Sequence, residues 1–231
     1  MKNKTLLILF FCLLSSVFTG MAQTKVSILG DSYSTFGGYV YPATNLCWFG
    51  DTVRKPAPEQ LANNVKKVEQ TWWHLLIKKL DAKLEFNSSF SGATICHTGY
   101  GKKDFSDRSF ITHLQCLGNP DLILVMGGTN DDWANVPLGK YQYKKWIHKD
   151  LFHFRPAFAY VLHQLQTLYP EAKVVNIVNC DLDKQITQSM AEICKHYRIC
   201  NIELKDIDKQ GGHPSIKGMQ MICDQVYPYV K

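Results

Sequence analysis

A chain of 231 residues, 45% hydrophobic and 20% charged, carries enough apolar material for one substantial core. Its formal charge of +6 is spread along the sequence without a basic block, which excludes a nucleic-acid footprint as its organising feature. Eight cysteines show no CxxC or His/Cys cluster with zinc-like spacing, so neither a metal nor another cofactor is expected.

Residues 1–22 read as an export signal: Lys2 and Lys4 precede an apolar run from Leu6 to Leu14, and Gly20-Met21-Ala22 supplies small residues before Gln23. The run is short for a membrane span, and no later segment is apolar for long enough. Cys12 lies inside the run instead of just after the small residues, so a lipid-modified cysteine at a new N-terminus is not indicated. The expectation is an exported protein, periplasmic or extracellular, without a stable membrane anchor, whose one domain covers residues 23–231. Removal of Cys12 with the signal leaves an odd number of cysteines, most in apolar contexts that suit buried thiols. A bridge between Cys194 and Cys200 stays open.

The remainder alternates short β-branched runs with helix-length segments. Strands are predicted at Val26–Leu29, Leu84–Phe86, Leu122–Met126, Val174–Val178 and Ile199–Leu204. Helical spacing covers Gln70–Leu80, Ala157–Leu168, Asp183–Tyr197 and Ser215–Tyr229, with Pro156 placed as a helix-starting residue. The pattern argues for an α/β fold: a mostly parallel sheet covered by helices on both faces, whose sites gather at the carboxyl ends of the strands. Trp72-Trp73 fall in a helical pattern and read as core. One segment resists the alternation. Residues 37–68 hold Tyr39, Tyr41, Trp48 and Phe49 with few periodic signals, and form either one wall of a cleft or a packed surface excursion.

Chemistry-bearing residues follow the strands in order. Gly30-Asp31-Ser32 comes after the first, a serine where a nucleophile belongs, although the tripeptide is also a common tight turn. Asn87-Ser88-Ser89-Phe90-Ser91-Gly92 follows the second strand and Gly128-Thr129-Asn130-Asp131 the third. A backbone N–H at Gly92 and the Asn130 side-chain amide suit an oxyanion. His213-Pro214 follows the last strand. Trp133 falls on the same loop region as Asn130 and, with Trp48, is a candidate substrate-binding aromatic.

Taken together, these blocks resemble the SGNH or GDSL hydrolase family of esterases and lipases. The resemblance implies a flavodoxin-like three-layer α/β/α sandwich with a five-stranded sheet. It implies Ser32 as nucleophile, His213 as base, and Ser32 N–H, Gly92 N–H and Asn130 as oxyanion hole, with Asp31 supporting the serine turn. Two departures stand out: Ser89 where the family usually has glycine, and Gln210 where it has the aspartate that orients the histidine. Three groups are candidates to orient His213: the Gln210 amide oxygen, Asp208 or Asp206 bending back, or a backbone carbonyl in a Ser-His dyad. Asp208 is the favoured carboxylate. The expected activity is hydrolysis of carboxylic esters through an acyl-enzyme on a small-molecule or glycan ester, foremost deacetylation of carbohydrate. The alternatives are a lipid-directed esterase, lysophospholipase or thioesterase, and a non-catalytic glycan-binding SGNH domain.

Overall fold

The computed structural model describes residues 23–50 and 62–231. The export segment read at residues 1–22 and residues 51–61 of the insertion lie outside the described residues. In chain order the elements are β1 (Lys25–Gly30), α1 (Trp72–Lys79), β2 (Lys83–Asn87), α2 (Phe110–His113), β3 (Leu122–Gly127), α3 (Thr129–Trp133), α4 (Phe154–Leu168), β4 (Lys173–Val178), α5 (Lys184–Tyr197), β5 (Cys200–Glu203), the two-residue strands β6 (Lys209–Gln210) and β7 (His213–Pro214), and α6 (Ile216–Val230).

The first five strands form one sheet in the order β2-β1-β3-β4-β5, parallel throughout. Every residue of β3 is buried, because helices cover both faces and leave no polar side to the strand. Period-two alternation sorts its side chains. Leu122, Leu124 and Met126 join Trp72 and Leu76 of α1 and Ile222 of α6 in one core. Ile123 and Val125 join Phe158 and Leu162 of α4 and Ile193 of α5 in the other. Each aliphatic side chain so buried contributes roughly 1.5–3 kcal/mol relative to exposure. The result is the three-layer α/β/α sandwich that the alternation of runs implied. Trp72 and Trp73 are core residues, as their helical spacing suggested.

Several boundaries move. The helix expected from Gln70 starts at Trp72 after a 3-10 turn over Val68–Gln70. The helix expected from Ala157 starts at Phe154, so Pro156 sits inside its first turn, where a missing N–H costs no intrahelical bond. Cys194 and Cys200 are not bridged, and Cys96, Cys194 and Cys223 are buried thiols. No helix among the described residues is long and apolar enough to cross a membrane.

The chain leaves β1, forms β2 on one side, and crosses to β3 on the other, which places a crevice at the carboxyl end of β1. The described parts of the insertion, residues 37–50 and 62–68, fold over this edge. Its outgoing arm is tied down where Gly37 N donates to Phe49 O at 2.8 Å and Asn45 Nδ2 to Ser89 O at 3.0 Å, and Phe49 is buried in the core. Its returning arm carries Asn63, 2% exposed, whose Nδ2 lies 3.1 Å from both Gln210 O and Pro214 O. These two arms are therefore a built part of the carboxyl edge, and the returning one grips the β6–β7 hairpin.

Candidate active site

Gly30 ends β1, and the chain turns at once into a short 3-10 helix over Ser32–Ser34. Asp31 caps that turn: its Oδ1 accepts from Tyr33 N at 3.0 Å. Ser32 is thereby fixed at the sheet edge, and it is only 4% exposed. Burial pushes the Asp31 carboxyl up to about 7, the Tyr33 N–H pulls it down, and the neighbouring charge of Asp131 pushes it further up. Asp131 is itself raised to about 6 by burial, against the hydrogen bonds that its oxygens accept from Ile95 N at 2.8 Å and Cys96 N at 3.2 Å. Those bonds fasten the loop after β2 to the loop after β3.

The imidazole meets the serine from the far end of the chain. Ser32 Oγ and His213 Nε2 are 2.8 Å apart, across 181 positions of sequence. His213 Nδ1 faces the Gly211 carbonyl oxygen at 3.1 Å. A carbonyl only accepts, so Nδ1 carries the proton and Nε2 presents its lone pair to the Ser32 hydroxyl. This is the tautomer a general base requires. Burial, reinforced by the nearby Lys209 charge, holds the imidazole down at about 4, while the Gly211 carbonyl works in the opposite direction.

The hairpin explains why no side chain performs the orienting role. Gln210 and His213 are opposed across the antiparallel pair, joined by Gly211 and Gly212 at φ +57° and +74°, a left-handed two-residue turn that only glycines adopt easily. Gln210 turns away, its Oε1 accepting from Asn64 N at 3.0 Å. Asp208, the favoured carboxylate, is not brought to His213. Its Oδ2 accepts from Ser215 Oγ and its backbone oxygen from Ser215 N at 3.0 Å, so it buttresses the residue that caps α6. Of the three candidates, the geometry adopts the backbone carbonyl.

The loops expected to supply the oxyanion donors lie on either side of β1. Gly92, after β2, has φ +83°, a left-handed value that explains glycine there although a Cβ would meet nothing within 4 Å. Asn130, in the first turn of α3, donates from Nδ2 to Ala93 O at 3.0 Å, which ties the two loops together and leaves its second amide N–H uncommitted. Among the described residues, neither Ser32 N nor Gly92 N donates to a protein acceptor. Ser89, which stands where a glycine was expected, puts its hydroxyl to use by donating to Asn87 Oδ1 at 2.5 Å.

Four contributors were not read from the sequence. Tyr100 OH donates to Asn130 Oδ1 at 2.7 Å, fixing which way the amide points. Tyr33 OH donates to Gly212 O at 2.7 Å and receives Asn179 Nδ2 at 3.3 Å, bracing the turn that carries Gly211. Asn63 holds the hairpin from the other side. For the hairpin itself, the Gly211-Gly212 pair was an available signal. Nothing local marks Tyr100, Asn63 or Asn179 as parts of the site, and the site groups they hold lie 30 to 151 positions away.

Aromatic rings enclose the imidazole. Trp48 lies flat on it, ring centroids 3.5 Å apart and planes 8° from parallel. Tyr33 is tilted against it at 5.1 Å, and Trp133 and Phe49 meet it steeply at 6.1 and 6.2 Å. Trp133 is 48% exposed, whereas Trp48 has one face taken by His213. Among the described residues, no group of three or more His, Cys, Asp or Glu side chains is gathered as for a metal ion.

A parallel sheet in this order, with a serine after β1 hydrogen-bonded to a histidine just before the last helix, defines the SGNH class of hydrolase folds. The chain belongs to the GDSL-like lipase/acylhydrolase family, whose model matches residues 24–230. A solved protein from Bacteroides uniformis ATCC 8492, named as a GDSL-like lipase, is 57% identical with a TM-score of 0.87, over 91% of this chain and 96% of the other. A second, from Bacteroides ovatus ATCC 8483 and named likewise, is 48% identical with a TM-score of 0.85, over 90% of this chain and 98% of the other. An acetyl xylan esterase from the rumen bacterium Butyrivibrio proteoclasticus shares the fold at a TM-score of 0.59 and 16% identity, over 90% of this chain and 63% of the other. No curated protein matches the chain.

Proposed function

We propose that this chain is an exported serine esterase that cleaves carboxylic esters through an acyl-enzyme. The observation that carries this reading is the 2.8 Å contact between Ser32 Oγ and His213 Nε2, with the Nδ1 proton held by Gly211 O. As Ser32 Oγ bonds to the ester carbon, its proton passes to Nε2 and the carbonyl electron pair moves onto oxygen. The N–H groups of Ser32 and Gly92 and the Asn130 amide receive that oxyanion. Collapse of the tetrahedral intermediate expels the alcohol, which takes the proton from Nε2, and water then repeats the sequence to free the acid. In this scheme the base is a dyad histidine, with Asp208 and Gln210 acting on the hairpin and not on the imidazole.

Deacetylation of a carbohydrate is the favoured chemistry. Its support is Trp133, an exposed aromatic beside the base that suits a sugar ring, together with the acetyl xylan esterase that shares the fold. A lipid-directed esterase is the second reading, favoured by the family's lipase character. Export through residues 1–22 is part of the proposal.

The decisive measurement is labelling of the intact protein with a fluorophosphonate, followed by mapping of the modified peptide. Modification at Ser32 is expected, as is loss of acetyl-ester turnover in Ser32→Ala with the fold retained. Wild-type turnover in that variant would remove the nucleophile assignment, and glycan binding without any Ser32-dependent turnover would favour a non-catalytic domain. Faster cleavage of octanoyl than acetyl esters would turn the substrate assignment toward lipids.

A further inference from the structure

A base that accepts a proton from Ser32 becomes an imidazolium, and in a Ser-His-Asp arrangement the carboxylate stabilises that charge as well as orienting the ring. Here the two tasks are separated. Gly211 O orients Nδ1 but bears no formal charge, and among the described residues no carboxylate is hydrogen-bonded or ion-paired to His213. Among the described residues, the charged group that acts on it is Lys209, a cation on β6. Ser32 and four aromatic residues also meet the ring.

One of those four is arranged differently from the rest. The Trp48 indole presents its full face to the imidazole at 3.5 Å and 8°, while the planes of Tyr33, Trp133 and Phe49 stand 53°, 72° and 81° away from it with centroids beyond 5 Å. The face of an indole is its electron-rich side and is the strongest aromatic partner for a cation within about 6 Å. The site is also nearly dry: His213 is 3% exposed, so little solvent screens the attraction. Trp48 is held to this task by its backbone, where Trp48 N donates to Thr35 Oγ1 at 2.8 Å, three residues beyond the nucleophile.

Resting on the dyad reading above, we infer that Trp48 stabilises the His213 imidazolium through the face of its indole, supplying the electrostatic part of the role that a triad carboxylate has elsewhere. The charge appears only when Ser32 gives up its proton, so the contact favours the transition state over the resting site. No new bond is required. The proton moves from Ser32 Oγ to Nε2 and on to the leaving alkoxide, and the indole stays unchanged throughout.

The test replaces Trp48 alone, by nonsense-codon incorporation in the full chain, with mono-, di-, tri- and tetrafluorinated tryptophan. Fluorine draws electron density off the ring face while nearly preserving its volume, so burial of His213 is held constant. Two quantities are read: the His213 titration, by NMR of labelled imidazole in the resting protein, and kcat/KM for a small aliphatic acetyl ester too short to stack on Trp48. Both are expected to fall stepwise along the series, the titration by about half a unit to one unit and the rate about three- to tenfold. A flat titration and a flat rate across the series would overturn the inference. Failure of the wild-type protein to label at Ser32 would instead overturn the esterase reading, and the NMR titration, which needs no turnover, would still decide the Trp48 contact.

Discussion

The two halves of the Ser32–His213 pair are held by different means. The serine side is wired by buried carboxylates and short connections: Asp31 caps the nucleophile's own turn, and Asp131 fastens the loop after β2 through the N–H groups of Ile95 and Cys96. On the histidine side no ion pair among the described residues reaches the imidazole, and the Lys209–Asp181 pair at 3.3 Å touches only the first strand of its hairpin. Its hairpin is gripped by Asn63 and Asn64 from the insertion and braced by Tyr33 and Asn179 from the body of the domain, and its ring is covered by Trp48. The nucleophile is thus a property of one turn, and the base a property of contacts that span most of the chain. With Gln210 in place of the family's aspartate, hydrogen bonds to backbone oxygens fix the hairpin that presents Gly211 O.

The comparison can be broken from either side. The largest effect is expected at the oxyanion donor on the serine side. Asn130→Ala should lower kcat by about 10² to 10³, with little change in KM, in steady-state assays on an acetyl ester. On the histidine side, Asn63→Ala leaves Gln210 O and Pro214 O without their buried donor and should cost about 1–3 kcal/mol in urea unfolding. The same variant should also slow turnover, because the hairpin it loosens carries the base.

The buried acid of the serine turn gives the next effect, in its pH dependence. The Asp31 carboxyl stands at about 7 in the folded protein against an ordinary 3.8. Its contribution to stability is fully present below the ordinary value and is lost as pH rises through about 7. Asp31→Asn retains an acceptor for Tyr33 N and cannot ionise, so its stability relative to wild type should improve by about 1.4 kcal/mol per pH unit between pH 4 and 7 and stay level above. Thermal melts across that range read the difference directly. His213 works in the opposite sense: held at about 4, it contributes stability that is lost as pH falls from 6.5 toward 4.

The smallest effect sharpens the dyad assignment. With the base titrating at about 4 in the free protein, the acid limb of kcat/KM should lie near that value and not near 6.5. Asp208→Asn should leave the limb where it is and cost only about 1 kcal/mol of stability through the weakened support of Ser215. A limb displaced in that variant would restore Asp208 to the imidazole.

Much of this was legible before any coordinates. The alternation of β-branched runs with helical spacing implied the layered sheet, because a strand buried on both faces has no polar residues to offer. The serine, glycine and asparagine could each be placed after a strand for the same reason: the carboxyl edge is where such a sheet leaves backbone groups uncovered. The elements that escaped were short. The turns α2 and α3 and the β6–β7 hairpin are too brief to show a period, although Gly211-Gly212 marked the last of them.

Residue type and order by themselves determined the family, the sheet, and which side chains are candidates for the chemistry, since hydrophobic periodicity and turn residues are local properties of the chain. Tertiary structure alone decided what orients the base. Asp208 and Gln210 lie within five positions of His213, yet an antiparallel turn sends one side chain to the cap of α6 and the other to the insertion. A carbonyl, which every residue possesses and no sequence distinguishes, takes the place beside Nδ1, and an indole 165 positions upstream closes over the ring.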